Sequence, residues 1–288
     1  MSPNMMRRIA FAAVAIPAAL GAVWLGGWVL AVLVAVVAVL GTRELYAIAE
    51  HAGVRPLRTW GLATCALLPL AAEWAWGSPW LYGTLAAMWP GILSVWVVGL
   101  LTWTLWRRGP GERPLESAAV TMLGAGYSGA LPVFLLHLRH LGLGASPWGA
   151  TWLVFFPLVI TWVCDSAAMF GGQRIGGPKL APTVSPGKTR SGAVSGVIGG
   201  LAAALLLNRL ALQPTGVGMT TGQALLIGGI LSVVGQVGDL AESLFKREAG
   251  LKDSSHLIPG HGGVLDRFDS LYFVIPTAAV LYHLVLGL

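Results

Sequence analysis

Long apolar segments alternate with short polar loops from one end of the chain to the other. We predict nine helices of bilayer-spanning length, with approximate bounds 8–24, 28–47, 59–74, 79–106, 117–140, 148–172, 191–211, 221–246 and 268–287. Pro90 and Gly91 fall inside the fourth segment, which leaves open whether it breaks into two pieces. The apolar runs are continuous rather than alternating, so the pattern predicts an all-α polytopic membrane protein and not a β-barrel.

The distribution of Lys and Arg between the loops predicts how these helices are oriented. Alternate loops carry nearly all the basic residues: Arg55, Arg58, Arg107, Arg108, Arg113, Arg174, Lys179, Lys188, Arg190 and the cluster at 246–267. The intervening loops, near Gly26, Gly77, Ser146 and Thr215, are almost free of them. Because basic loops stay cytoplasmic, we expect nine spans in the inner membrane, a cytoplasmic N-terminus and a C-terminus outside.

Composition agrees with this class and excludes others. The chain is 56% hydrophobic and 10% charged, against about 25% charged residues in soluble proteins. Its net charge of +6 is explained by cytoplasmic loops and anionic lipid, and no aromatic platform suggests a nucleic-acid partner. Cys65 and Cys164 lie in apolar segments and are predicted to be small buried residues, not a disulfide or zinc site.

Candidate chemistry is confined to the second half of the chain. Every aspartate lies at or after Asp165, and every lysine at or after Lys179. We therefore predict that residues 1–145 form scaffold helices and that residues 146–288 form a catalytic region with cytoplasmic substrate loops. Charged groups in so apolar a protein indicate function by default.

Two groups of carboxylates suggest a metal site. Asp239, Glu242, Ser243 and Lys246 follow each other at helical spacing and share one face of the eighth helix. Asp266 and Asp269 flank Arg267 where the last helix begins, a pattern that is also common in plain N-terminal capping. Taken together, the carboxylates resemble a Mg²⁺ site completed by substrate phosphates.

Two further features favour phosphate binding, and one further acid is a candidate ligand for substrate or metal. His261, Gly262 and Gly263 form a tight turn whose backbone N–H groups can approach an anion. Ser185, Lys188 and Thr189 precede a helix N-terminus, although Pro182 replaces the glycine that a P-loop requires. Asp165, inside the sixth helix, is predicted to bind substrate or metal, with a packing hydrogen bond as the alternative.

These residues resemble the motifs of bacterial phosphatidate cytidylyltransferases (CDP-diacylglycerol synthases). The long C-terminal motif of that family is matched by Ser243, Lys246, Arg247, Lys252, Asp253, Pro259, His261, Gly262, Gly263, Asp266, Arg267 and Asp269. Its second region is matched by residues 165–168 and 179–189. Departures from the family pattern fall at Met169, Gln173, Gly177 and Ser191.

The resemblance implies transfer of CMP from CTP to phosphatidate, with CDP-diacylglycerol and pyrophosphate as products. It implies catalytic roles for Asp239, Asp266, Asp269 and Lys246, and a Mg²⁺ ion held by Asp239, Asp266, Asp269 and Glu242, with a second cation left open. It implies that substrate is bound by Asp165, Ser185, Lys188, Thr189, Ser243, Arg247, Lys252, His261, Gly262, Gly263 and Arg267. The substrates and the bilayer are the expected partners, and a homodimer is left open.

Two alternatives remain at this level. One is another CTP-dependent lipid enzyme, such as an isoprenoid-alcohol kinase or an archaeal ether-lipid cytidylyltransferase. The other is a transporter that uses Asp165 and Asp239 as ion sites.

Overall fold

A helix occurs at each of the nine predicted positions. The computed structural model describes residues 3–141, 146–258 and 262–288. The helices are α1 Pro3–Leu25, α2 Gly27–His51, α3 Arg58–Trp76, α4 Pro79–Arg107, α5 Pro114–Leu141, α6 Pro147–Ile175, α7 Arg190–Thr215, α8 Thr221–Glu248 and α9 Leu265–Leu286. Short π-helical turns interrupt α5, α7 and α9.

Among the described residues, seven of these helices are long and apolar enough to cross a bilayer, namely α2 and α4 to α9. From α1 only Ile16–Leu25 qualifies, as a shorter apolar helix. The chain is thus a multi-pass helical membrane protein, while the count of nine spans stays a prediction.

The fourth helix does not break at its proline. Pro79–Arg107 is one helix with Pro90 in its interior. Only 6% of its most apolar 18-residue stretch is buried. Its outer surface displays Val98, Leu101 and Leu105, which are 63%, 53% and 76% exposed. A helix so apolar and so little covered by protein is suited to face lipid.

A small β-hairpin is added to the predicted all-α architecture. Strands β1 Lys179–Ala181 and β2 Ser185–Thr189 pair antiparallel, with Lys179 opposite Thr189. The sequence did not predict these strands because they are only three and five residues long, β2 contains Pro186 and Gly187, and neither strand has the alternation of a half-buried strand.

Two compact units account for the chain. The first comprises Met1–Pro17, Leu25–Leu136 and Glu248–Asp266, and the second comprises Ala18–Trp24, His137–Arg247 and Arg267–Leu288. The segment that carries Lys252, Gly262 and Asp266 therefore packs with N-terminal helices. The predicted functional boundary at residue 145 stays a prediction, because compactness assigns no function to either part.

Each unit has close helix contacts through small residues. In the first, the fully buried Tyr46 donates a hydrogen bond to the carbonyl of Thr121 (3.0 Å) and occupies space that a side chain at Gly61 or Gly124 would need. In the second, a Cβ at Gly200 would lie 1.9 Å from Ser232 Oγ. Such contacts let backbones approach closely, as is common between membrane helices.

Candidate functional site

The second unit gathers acids and lysines from three helices and the hairpin. We call this group the acid–lysine cluster; it consists of Asp165 on α6, Lys188 on β2, Asp239, Glu242 and Lys246 on α8, and Asp269 on α9. All six were predicted as site residues from the sequence.

Direct contacts and electrostatic interactions connect the members. Lys188 Nζ lies 2.5 Å from Asp239 Oδ2, and Lys246 Nζ lies 3.3 Å from Glu242 Oε1. Asp269 interacts electrostatically with Asp239 and with Lys246. Asp165 interacts electrostatically with Asp269, Asp239 and Lys188. These interactions link all six members of the cluster.

The local sequence explains how α8 presents these groups. Asp239, Glu242 and Lys246 recur at intervals of three and four residues, so they share one helix face, and Ser243 Oγ donates to Asp239 Oδ1 at 3.3 Å. A Cβ at Gly238 would lie 2.9 Å from the carbonyl oxygen of Asp269. The missing side chain at Gly238 therefore allows α9 to bring Asp269 close to α8.

The donor chemistry of the cluster fits Mg²⁺. The described residues contain no group of three or more acidic, His or Cys side chains that could by themselves hold a metal ion. Mg²⁺, however, is usually bound by one or two carboxylates together with water and substrate phosphates. The neighbouring carboxylates of Asp239 and Asp269 meet that requirement, and their mutual repulsion favours a cation between them.

The predicted metal ligand Asp266 is engaged differently. Its Oδ2 accepts hydrogen bonds from the backbone N–H of Ser254 (2.9 Å), the backbone N–H of Gly263 (2.8 Å) and Ser254 Oγ (2.8 Å). These contacts lie within the first unit, and their donors precede α9, so they differ from the capping of a first helical turn. Its role as a metal ligand stays a prediction.

Glu44 on α2 is the residue that the sequence reading missed. Its Oε1 accepts from Ser255 Oγ (2.6 Å) and Val264 N (3.1 Å), and its Oε2 accepts from Ser254 Oγ (3.1 Å) and Leu265 N (2.7 Å). We call Glu44, Asp266 and the backbone they hold the loop clamp. A buried acid inside an apolar helix is costly unless paired, and this was the signal available in the sequence.

The loop clamp also explains the two glycines of the turn. Gly262 has a φ of +81°, a left-handed conformation that favours glycine. A Cβ at Gly263 would lie 2.0 Å from Ser254 Oγ and 2.4 Å from Glu44 Oε2. The predicted phosphate contact of Gly263 thus competes with Asp266, which already accepts from the Gly263 N–H.

The other predicted substrate residues occupy varied positions. Thr189 Oγ1 accepts from Gly192 N at 3.1 Å and so caps α7, while Ser185 begins β2. Arg247 Nε donates to the carbonyl of Val184 (3.1 Å), which ties the end of α8 to the hairpin turn. Arg267 interacts electrostatically with Asp165, and Lys252 is exposed in the first unit. His261 lies outside the described residues.

Comparison with known proteins gives a consistent result. Residues 6–285 match the profile of the family described as the cytidylyltransferase family. A phosphatidate cytidylyltransferase of Brucella suis biovar 1 is 43% identical over 183 residues, which are 64% of this chain and 60% of that protein. Those of Haemophilus influenzae and Bacillus subtilis are 41% and 40% identical, each over 54% of its own length. The matched region thus spans about 54–60% of the length of these relatives.

Proposed function

Because the chain belongs to the cytidylyltransferase family, we propose that it transfers CMP from CTP to phosphatidate and releases pyrophosphate. The names of the similar proteins support this reaction. The observation that carries it is the acid–lysine cluster, which places cations beside carboxylates in an otherwise apolar protein. Such a cluster suits two substrates that both carry phosphate.

In the proposed reaction an oxygen of the phosphatidate monoester attacks the α-phosphorus of CTP. A new P–O bond forms as the bond from the α-phosphorus to the bridging oxygen breaks, and the electron pair leaves with pyrophosphate. Both reactants are anions, so the main need is charge stabilisation and alignment. A protein general base is unnecessary, because a phosphate monoester is already ionised near neutral pH.

The residues of the cluster divide between two tasks, holding the metal ion and binding the phosphate groups. Asp239 and Asp269, helped by Glu242, would hold Mg²⁺, which supplies charge neutralisation at the phosphates; a second cation stays open. Lys188 and Lys246 are already oriented by Asp239 and Glu242, and they would bind phosphate oxygens. Arg267, held electrostatically near Asp165, would add a further positive charge.

We also propose nine spans, a cytoplasmic N-terminus, an external C-terminus and an active site facing the cytoplasm of the inner membrane. The concentration of Lys and Arg in alternate loops supports this topology. A homodimer is compatible with the proposal. Single cysteines introduced at Gly250 and Gly216, probed with an impermeant thiol reagent, should be labelled from the cytoplasmic and external sides respectively.

The deciding experiment uses the purified protein in detergent with Mg²⁺, phosphatidate and labelled CTP. We expect lipid-linked label and pyrophosphate to appear in equal amounts and to vanish with EDTA. Release of CDP without cytidylyl-lipid would instead identify a CTP-dependent kinase. An absence of turnover with several lipids would favour the transporter.

A further inference from the structure

The first unit contains a basic cavity that has no part in the proposed reaction. It has a volume of about 750 Å³ and lies where α2 ends, α3 begins and α4 ends. We call it the arginine pocket; its walls include Glu50, Arg55, Arg58, Trp103, Arg107 and Arg108. None of these residues belongs to the motifs of the candidate site.

The charge of the pocket is strongly positive. Four arginines face one glutamate, so these side chains carry a net charge of +3. Both carboxylate oxygens of Glu50 accept hydrogen bonds from Arg58, whose Nε and Nη2 donate at 2.7 and 2.6 Å. Neutralisation of the other three arginines therefore has to come from a ligand or from solvent.

Two of those three guanidinium groups are available. Arg108 is held by the carbonyls of Arg55 (3.1 Å) and Pro56 (3.4 Å), which ties the end of α4 to the α2–α3 loop. Arg107 lies over the ring of Trp103, 4.8 Å from its centroid. Within the described part of the chain, the side chains of Arg55 and Arg107 make no hydrogen bond or ion pair. A guanidinium in this state matches a phosphate group well.

The surroundings of the pocket favour a lipid over a soluble anion. The ends of α2 and α4 and the start of α3 meet at this pocket, and the ends of membrane helices lie close to the lipid head groups. Val98, Leu101 and Leu105 follow each other at helical spacing, so an exposed apolar stripe of α4 runs toward the end of the helix, where Arg107 and Arg108 lie. A phospholipid bound here would place its phosphate among the arginines and its acyl chains along that stripe.

We propose that the arginine pocket binds an anionic phospholipid of the bilayer at a site separate from the substrate site. Basic pockets between membrane helices are known to recognise such head groups. The general excess of basic residues in cytoplasmic loops explains the number of arginines. It does not explain a cavity in which one ion pair, one ring contact and two carbonyl groups fix the positions of Arg58, Arg107 and Arg108.

The test measures lipid binding and not turnover, so it is independent of the proposed reaction. Native mass spectrometry of the purified protein would count bound phosphatidylglycerol, with phosphatidylcholine as the neutral comparison lipid. Variant Arg55→Gln/Arg107→Gln removes the two available charges, and Arg55→Lys/Arg107→Lys retains them. Arg209→Gln, an exposed arginine of the second unit, is the matched control. Arg55→Gln alone, in an exposed loop, covers the case in which the double variant fails to fold.

We expect the wild-type protein and Arg209→Gln to bind phosphatidylglycerol in preference to phosphatidylcholine. The double Gln variant should bind it about 25-fold more weakly, at roughly fivefold for each basic side chain, and the double Lys variant, which keeps the charges but not the guanidinium groups, should bind more tightly than the double Gln variant. Equal binding by all variants would overturn the proposal. Binding of inorganic phosphate with the same affinity, with displacement of the lipid, would overturn the choice of a lipid ligand.

Discussion

The acid–lysine cluster and the loop clamp both place acids inside an apolar protein, but they satisfy them in opposite ways. In the loop clamp, Glu44 accepts from the backbone N–H groups of Val264 and Leu265 and from Ser255 Oγ, and Asp266 accepts from those of Ser254 and Gly263, while the one Ser254 hydroxyl lies within hydrogen-bond distance of both acids. In the cluster, the carboxylates meet lysines and one another.

The difference indicates which acids are structural and which are chemical. Backbone N–H donors are fixed, so a carboxylate that they satisfy is a permanent part of the loop. Lysine side chains and neighbouring carboxylates can exchange partners when a cation or a phosphate arrives. We therefore expect the cluster to act on substrate and the clamp to hold the loop that precedes α9.

The largest effect is expected from Asp239→Asn. It removes a charge that pairs with Lys188 and would bind Mg²⁺, so turnover should fall by about a thousandfold or more while the helical fold is kept. Formation of lipid-linked label measures the loss, and circular dichroism checks the fold. Glu116→Gln, a surface acid paired with Arg113, is the control. Near-normal turnover of the Asp239 variant would remove this residue from the proposed site.

A smaller effect is expected from Glu44→Gln. The glutamine side chain has no charge, and its NH₂ group would face N–H donors that the carboxylate accepts from. The free energy of unfolding should therefore fall by about 1–3 kcal/mol. Backbone N–H groups in residues 254–265 should exchange with deuterium faster, and turnover should fall about 10- to 100-fold. Arg43→Gln, an exposed neighbour on the same helix, should change neither. Unaltered exchange in the loop would contradict the clamp.

Asp266→Asn separates the two explanations for one residue. If the clamp is its main task, loop exchange should increase while the Mg²⁺ concentration for half-maximal turnover stays within about twofold. Asp269→Asn should raise that concentration instead. A rise for the Asp266 variant as large as that for Asp269→Asn would establish the metal role predicted from the sequence.

The smallest effect is expected from Thr189→Ala. Loss of the hydrogen bond from Gly192 N to Thr189 Oγ1 should cost about 1 kcal/mol, as for other helix caps. Thermal unfolding in detergent measures this. An accompanying rise in KM for CTP, absent from a Thr215→Ala comparison outside the site, would show that Thr189 also contacts substrate.

The sequence by itself determined the helices and all six members of the cluster. Apolar runs of bilayer length define helices locally, and the three- and four-residue spacing on α8 places Asp239, Glu242 and Lys246 on one face whatever surrounds them. The motif residues could also be identified from the sequence, because only 10% of the residues in this chain are charged.

Only the tertiary structure decided which partners those groups have. Glu44 and Ser254 are 210 positions apart, and no local pattern relates them, so their contact depends on how the helices of the first unit pack. The hairpin, too, depends on partners that are not visible in its own residues, since its strands have neither length nor alternation. Spacing along a helix is a property of the chain, whereas the donors that a buried carboxylate meets are a property of the packed fold.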